Sequence, residues 1–148
     1  MKYTEKISNK LNELLEKNYD AEKGYLNAAD HVESSRLKIF FKKRATERSE
    51  FAKNLRTEIL SYGQIPEDDG SLKGTMHRNW MSLKSLFSSN DEEAILEEAL
   101  RGEKESLDEY TNILKEDSFA PSTKKMLETQ KLQIQTAINS LMVAEELA

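Results

Sequence analysis

The chain has 148 residues, 33% of them charged with both signs interspersed, and a formal net charge of −5, a size that suits one domain with a single core. This balance argues against a nucleic-acid partner, which needs a basic face, and no apolar run approaches the ~20 residues of a membrane span. Without cysteine there is no disulfide, thiolate ligand or cysteine nucleophile; "MKYTEKISNK" lacks the apolar stretch of a secretory signal, so a cytoplasmic setting is expected.

The first predicted helix, over about residues 4–31, carries Ile7, Leu11, Leu14, Leu15, Tyr19, Tyr25, Leu26 and Ala29 at helical spacing. "HVESSR" is a short polar interruption that predicts a tight antiparallel hairpin. The second helix, 34–62, follows with Leu37, Phe40, Phe41, Arg44, Glu47, Phe51, Leu55 and Ile59 on its stripe. "YGQIPEDDGSLKG" then breaks the chain, with three of the five glycines and one of the two prolines inside it. Leu72, Met76, Trp80, Leu83 and Phe87 predict a short amphipathic helix over 72–87. "SSNDEE" offers Ser89 or Asn90 as a cap with Glu92 or Glu93 three residues on, opening a helix over 91–116. Pro121 suits the first turn of the last helix, 121–146, in which Leu127, Ile134, Ile138, Leu141 and Val143 recur. Strand-like alternation is absent, so the expected class is all-α. Two short hairpins joined by a connection of about 30 residues predict a four-helix bundle with one long crossover, the 72–87 helix lying on its side with Trp80 against the bundle.

Carboxylates interrupt the stripes. In "GEKESLDEY" Glu103 falls between Leu100 and Leu107, where apolar residues belong, and Glu22 and Glu47 hold similar places on the first and second helices. Glu128 neighbours Leu132 one turn on, nearer the edge of its stripe. Glu22 to Glu47 is 25 residues, and so is Glu103 to Glu128; Gly24 and Gly102 stand beside two of these acids although glycine within a helix costs ~1 kcal/mol. The pattern predicts two similar hairpins, each giving one glutamate per helix to a shared interior. Unpaired, four such carboxylates would each lose several kcal/mol in desolvation. Cations, protons or water must answer them, and a divalent metal pair is one known answer in a bundle core.

"ERSEFAKNL", "GSLKGTMHRNWMSLK" and "DEEAILEEALRGEKESLDEY" carry a resemblance that covers almost the whole chain. It resembles the ferritin-like superfamily, with a rubrerythrin-like hairpin layout, and most closely a bacterial family of ferritin-like four-helix-bundle proteins of unknown function. The resemblance implies a ferritin-like fold and no established activity. Active members place a lone Glu on the first and third bundle helices and Glu-x-x-His on the other two. Carried over, Glu22 and Glu103 take the lone positions, while Glu47 and Glu128 begin the two motifs. Glu50 ("ERSE") replaces the first histidine and Lys131 ("ETQK") the second. Glutamate keeps a hard oxygen ligand for iron, manganese or calcium; lysine removes a ligand and supplies a cation. The expected metal set is Glu22, Glu47, Glu50, Glu103 and Glu128, with iron or manganese as the ion. The alternative is a non-catalytic structural or stress-related interaction bundle, its acids neutralised by Lys131 with Arg44 or Arg48, and the lysine at a ligand position favours a non-enzyme. His31 is expected to be structural at a helix C-terminus, and His77 could cap, stack on Trp80 or bind a partner. Neither nucleic acid nor membrane is expected as a partner; a homodimer stays open.

Overall fold

The computed structural model describes residues 3–67 and 92–147. Four helices account for nearly all of them: α1 (Tyr3–His31), α2 (Ser35–Ser61), α3 (Glu92–Ile113) and α4 (Pro121–Leu147). The third bundle helix ends about one turn before the expected boundary at 116; the other bounds fall within a residue of expectation. The predicted 72–87 helix, with Trp80 and His77, and the Ser89 or Asn90 cap lie outside the described residues. Among the described residues there is no strand, and the fold is an all-α four-helix bundle.

Local chemistry explains the element ends. The Ser34 hydroxyl accepts from the Leu37 amide and caps α2, using one of the donors that a helix start leaves without an intrahelical partner. At the other end, Gly63 adopts φ 77, while the Gly63 and Gln64 amides donate back to Leu60 and Ile59. That is a Schellman stop, and glycine takes the left-handed position without a Cβ clash. Pro121 opens α4 as expected, its absent N–H being one that a first turn does not use. His31, in the last turn of α1, bonds through Nδ1 to the Asn27 carbonyl at 2.7 Å, consistent with a structural place at that terminus.

Contacts define the topology. α1 packs most closely on α2 and α3 on α4, and the two hairpins meet along the α1–α3 and α2–α4 sides. On the first side numbers run in opposite order: Lys10 meets Glu116, Lys17 meets Glu109, Tyr25 meets Glu103, and the Glu33 and Ser34 amides donate to Glu92. On the second, Phe51 meets Gln130, Glu58 meets Thr123, and Tyr62 meets Ala120. Each helix is therefore antiparallel to both neighbours, and the diagonal pair α2 and α3 point the same way. A helix of 27 residues is ~40 Å long, so the end of α2 and the start of α3 lie at opposite ends of the bundle.

The core falls into two apolar clusters. One, around Leu11, Leu15, Phe51, Leu55, Ile59 and Ile134, is built of large side chains. The other, around Tyr25, Phe41, Ile95 and Leu141, is rich in alanine: Ala21, Ala28, Ala29, Ala45 and Ala99. Between them lies a set of buried polar groups drawn from every helix.

Candidate functional site

The interior polar chain starts at Glu103 of α3, which is fully buried, as its place in the apolar stripe leads one to expect. Arg48 of α2, also buried, forms an ion pair through Nη2 with Glu103 Oε1. The other oxygen, Oε2, accepts from the Tyr25 hydroxyl of α1 at 2.7 Å. Arg48 Nη1 donates to Asn18 Oδ1 at 2.7 Å, and Asn18 Nδ2 donates both to the Leu14 carbonyl and to the Tyr110 hydroxyl. Tyr110 donates in turn to Gln130 Oε1 at 2.6 Å, whose amide reaches the Phe51 carbonyl. Six side chains thus form one continuous hydrogen-bonded path through the bundle. A buried polar group left unmatched costs ~1–3 kcal/mol, more for a charge, and here each side chain is placed to satisfy the next. Arg48 Nε is the exception among these atoms, buried without a protein partner.

Helical register explains how these groups arrive together. Arg48 lies seven residues after Phe41, three before Phe51 and seven before Leu55, all fully or nearly fully buried. Asn18 lies seven after Leu11 and seven before Tyr25, and Gln130 three after Leu127 and four before Ile134. Small Gly102 and Ser106, both buried, flank Glu103 on α3. Arg48 also stands over the Phe51 ring, 5.7 Å from its centroid, a favourable place for a desolvated cation.

Electrostatics follow from burial and pairing. Burial opposes the charge of Arg48, but Glu103 and the two tyrosines outweigh it, so the guanidinium is held above its ordinary pKa. Burial, then the adjacent Glu103 carboxylate, pushes the Tyr25 phenol well above its usual value. Tyr110 is raised to about 12, chiefly by burial, with Arg48 and the Asn18 bond opposing. All three keep their protons at neutral pH. These three groups therefore act in the path as fixed hydrogen-bond donors near neutrality.

The other glutamates singled out by spacing are less buried than Glu103. Glu47 is half-buried; burial raises its pKa, with nearby Arg44 opposing and Glu103 adding to the rise. Glu22 is also half-buried and has interactions of its own. Glu50 and Glu128 are exposed. Glu50 directly precedes the core residue Phe51, which turns it off the buried stripe. Glu128 was placed by its neighbour Leu132, and Leu132 is itself 68% exposed, so that pair marks the outer face of α4. Val143 and Leu26, read as stripe residues, also lie on outer faces. Among the described residues no group of three or more His, Cys, Asp or Glu is placed to hold a metal ion. The cation against Glu103 is Arg48, not Lys131; Arg44 pairs loosely with Glu47 at 4.0 Å and stacks on Phe40. Asn18 and Gln130 were missed as interior groups, and Arg48 was named only beside Arg44, as a counter-ion secondary to Lys131. Their signal was a polar residue at a stripe position, the same signal that exposed Glu103.

An all-α bundle, tied through its middle by a buried Arg–Glu pair, is the class that fold and site define. The chain belongs to the DUF2383 family (Domain of unknown function), whose sequence pattern matches residues 6–116, a span that holds every member of the polar path except Gln130. No curated protein matches the chain. No helix of the described residues is long and apolar enough to cross a membrane.

Proposed function

We propose that the chain is a ferritin-like bundle without catalytic chemistry, an interaction module in which Arg48 supplies inside the fold the positive charge that metals supply in active relatives. One observation carries this reading: both oxygens of Glu103 are already taken, one by Arg48 and one by Tyr25. The donor set does not fit a divalent ion. A cation at Glu103 would have to displace a guanidinium whose own charge would then be stranded in the core, at a cost of several kcal/mol. Glu50 and Glu128, the carboxylates that a two-metal centre needs, lie on exposed faces. The antiparallel neighbours and the parallel diagonal pair α2 and α3 support the ferritin-like descent. A cytoplasmic setting without nucleic-acid partners belongs to the same reading, supported by the net charge of −5 and the interspersed signs.

Metal titration tests it. Fe(II) or Mn(II), added anaerobically to the metal-stripped protein, is expected to leave the melting temperature unchanged, because only a ligand that prefers the folded state raises it. Stoichiometric uptake with a rise that Glu103→Gln abolishes would overturn the proposal.

A further inference from the structure

A groove of about 630 Å³ opens at the end of the bundle where α1 passes into α2. Leu37 and Phe40 of α2, Leu96 of α3 and Ala144 of α4 form its apolar floor. Ile39 and Val143 stand on opposite walls and are 64% and 56% exposed, an unusual outlay of large aliphatic surface beside an apolar floor. Three charged side chains line it: Arg36, Lys43 and Glu92. Glu92 is engaged, its carboxylate accepting from the Glu33 and Ser34 amides at 2.6 and 3.1 Å. The charge left to face an incoming group is that of Arg36 and Lys43. This positive rim belongs to a chain of net charge −5, and the first turn of α2 contains no acid to offset it.

We infer that this groove is a docking site for an acidic amphipathic helix of a partner protein. Its two long walls are themselves helices, α2 over residues 36–43 and α4 over 140–144, which suits the helix-in-groove mode of recognition. Arg36 and Lys43 are seven residues apart on one helix, ~10 Å along the axis. A partner helix with acids two turns apart, and apolar residues between them at i and i+3 or i+4, meets both cations while its apolar face fills the floor between Ile39 and Val143. A fatty acid would need a single cation and a closed cavity; the open groove with two separated cations favours the helix. The inference rests on the interaction-module reading only in taking the partner to be a protein. Metal titration and peptide binding fail independently.

The test is fluorescence anisotropy with two labelled synthetic peptides of one amphipathic helical design, identical in their leucines, one bearing glutamates and the other lysines at the flanking positions. The acidic peptide is expected to bind one-to-one and at least roughly tenfold more tightly than the basic one. Arg36→Glu with Lys43→Glu should reverse that preference. Ile39→Asp should abolish binding and leave the melting temperature unchanged, since Ile39 is solvent-facing. Equal binding of both peptides, binding of neither, or binding that survives Ile39→Asp overturns the inference. So does a melting temperature that falls by several degrees in Ile39→Asp, which would mean that the chain's own residues cover the groove. Saturable binding of dodecanoate without either peptide would assign the groove to a small carboxylate, and self-association lost in Ile39→Asp would assign it to a second copy; both outcomes overturn it.

Discussion

The two hairpins are alike in plan and opposite in what they bring to the buried ion pair. The first, α1 and α2, gives a cation, Arg48, and keeps its glutamates Glu22 and Glu47 half-buried at the rim. The second, α3 and α4, gives an anion, Glu103, and leaves Glu128 in solvent. Matching spacings of acids suggested halves that repeat one another; the folded halves complement one another. The difference matters energetically. Four like charges in a core need an outside ion, whereas one Arg–Glu pair with two tyrosines, an asparagine and a glutamine meets its own charges, with Arg48 Nε alone left without a protein partner. It also makes docking of the two hairpins specific, since only one register brings Arg48 to Glu103.

The largest effect should come from breaking that complementarity on one side. Arg48→Met leaves Glu103 buried without its counter-ion and is expected to cost about 3–5 kcal/mol in urea unfolding, as one-sided removal from a buried pair does. That is a large part of the ~5–15 kcal/mol that holds a domain together. Next comes the path beyond the pair. Tyr110→Phe removes the hydroxyl that links Asn18 of the first hairpin to Gln130 of the second, with an expected loss of about 1–2 kcal/mol. The same two hairpins are also joined at the surface by Lys17 and Glu109, partly exposed and 2.6 Å apart. Lys17→Ala should cost no more than about 1 kcal/mol, less in high salt, and a larger loss there would mean that the interior does not dominate docking. The smallest effect concerns the rim. Glu47 holds its proton more tightly folded than unfolded, so its contribution is present below its unfolded value and lost as pH rises through the raised folded one. Glu47→Gln should flatten a shallow decline in melting temperature just above the ordinary carboxylate range; an unchanged profile would show that Glu47 is not the group responsible.

Apolar periodicity is strong and local, so the four helices, their hairpins and Glu103 were legible from residue spacing. What escaped was which of the candidate cations, Lys131, Arg44 or Arg48, faces Glu103. A stripe position marks which way a side chain points along its own helix, but not what faces it across the bundle, because that depends on the stagger between helices. Arg48 sits on the same stripe as Phe41, Phe51 and Leu55, one residue past Glu47, and a rotation of ~100° per residue decides which of the two enters the core. Glu128 was misplaced for a related reason: Leu132, an exposed leucine, was taken to mark the core side. Single exposed apolar residues are ordinary on protein surfaces, and one neighbour does not define a face. The groove beside Ile39 and Val143 was equally hidden, since its shape comes from three helices that are far apart in the chain.

A double-mutant cycle on Arg48 and Glu103, read by urea unfolding in EDTA and again in excess Mn(II), tests the central claim most directly. If Arg48 is the internal counter-ion, Arg48→Met and Glu103→Met should each be costly. The double variant should then regain much of the loss, giving a coupling of about 2–3 kcal/mol that is the same in both buffers. Coupling near zero in EDTA, or stability that depends on Glu103 only when Mn(II) is present, would contradict the account and return the interior carboxylate to a metal.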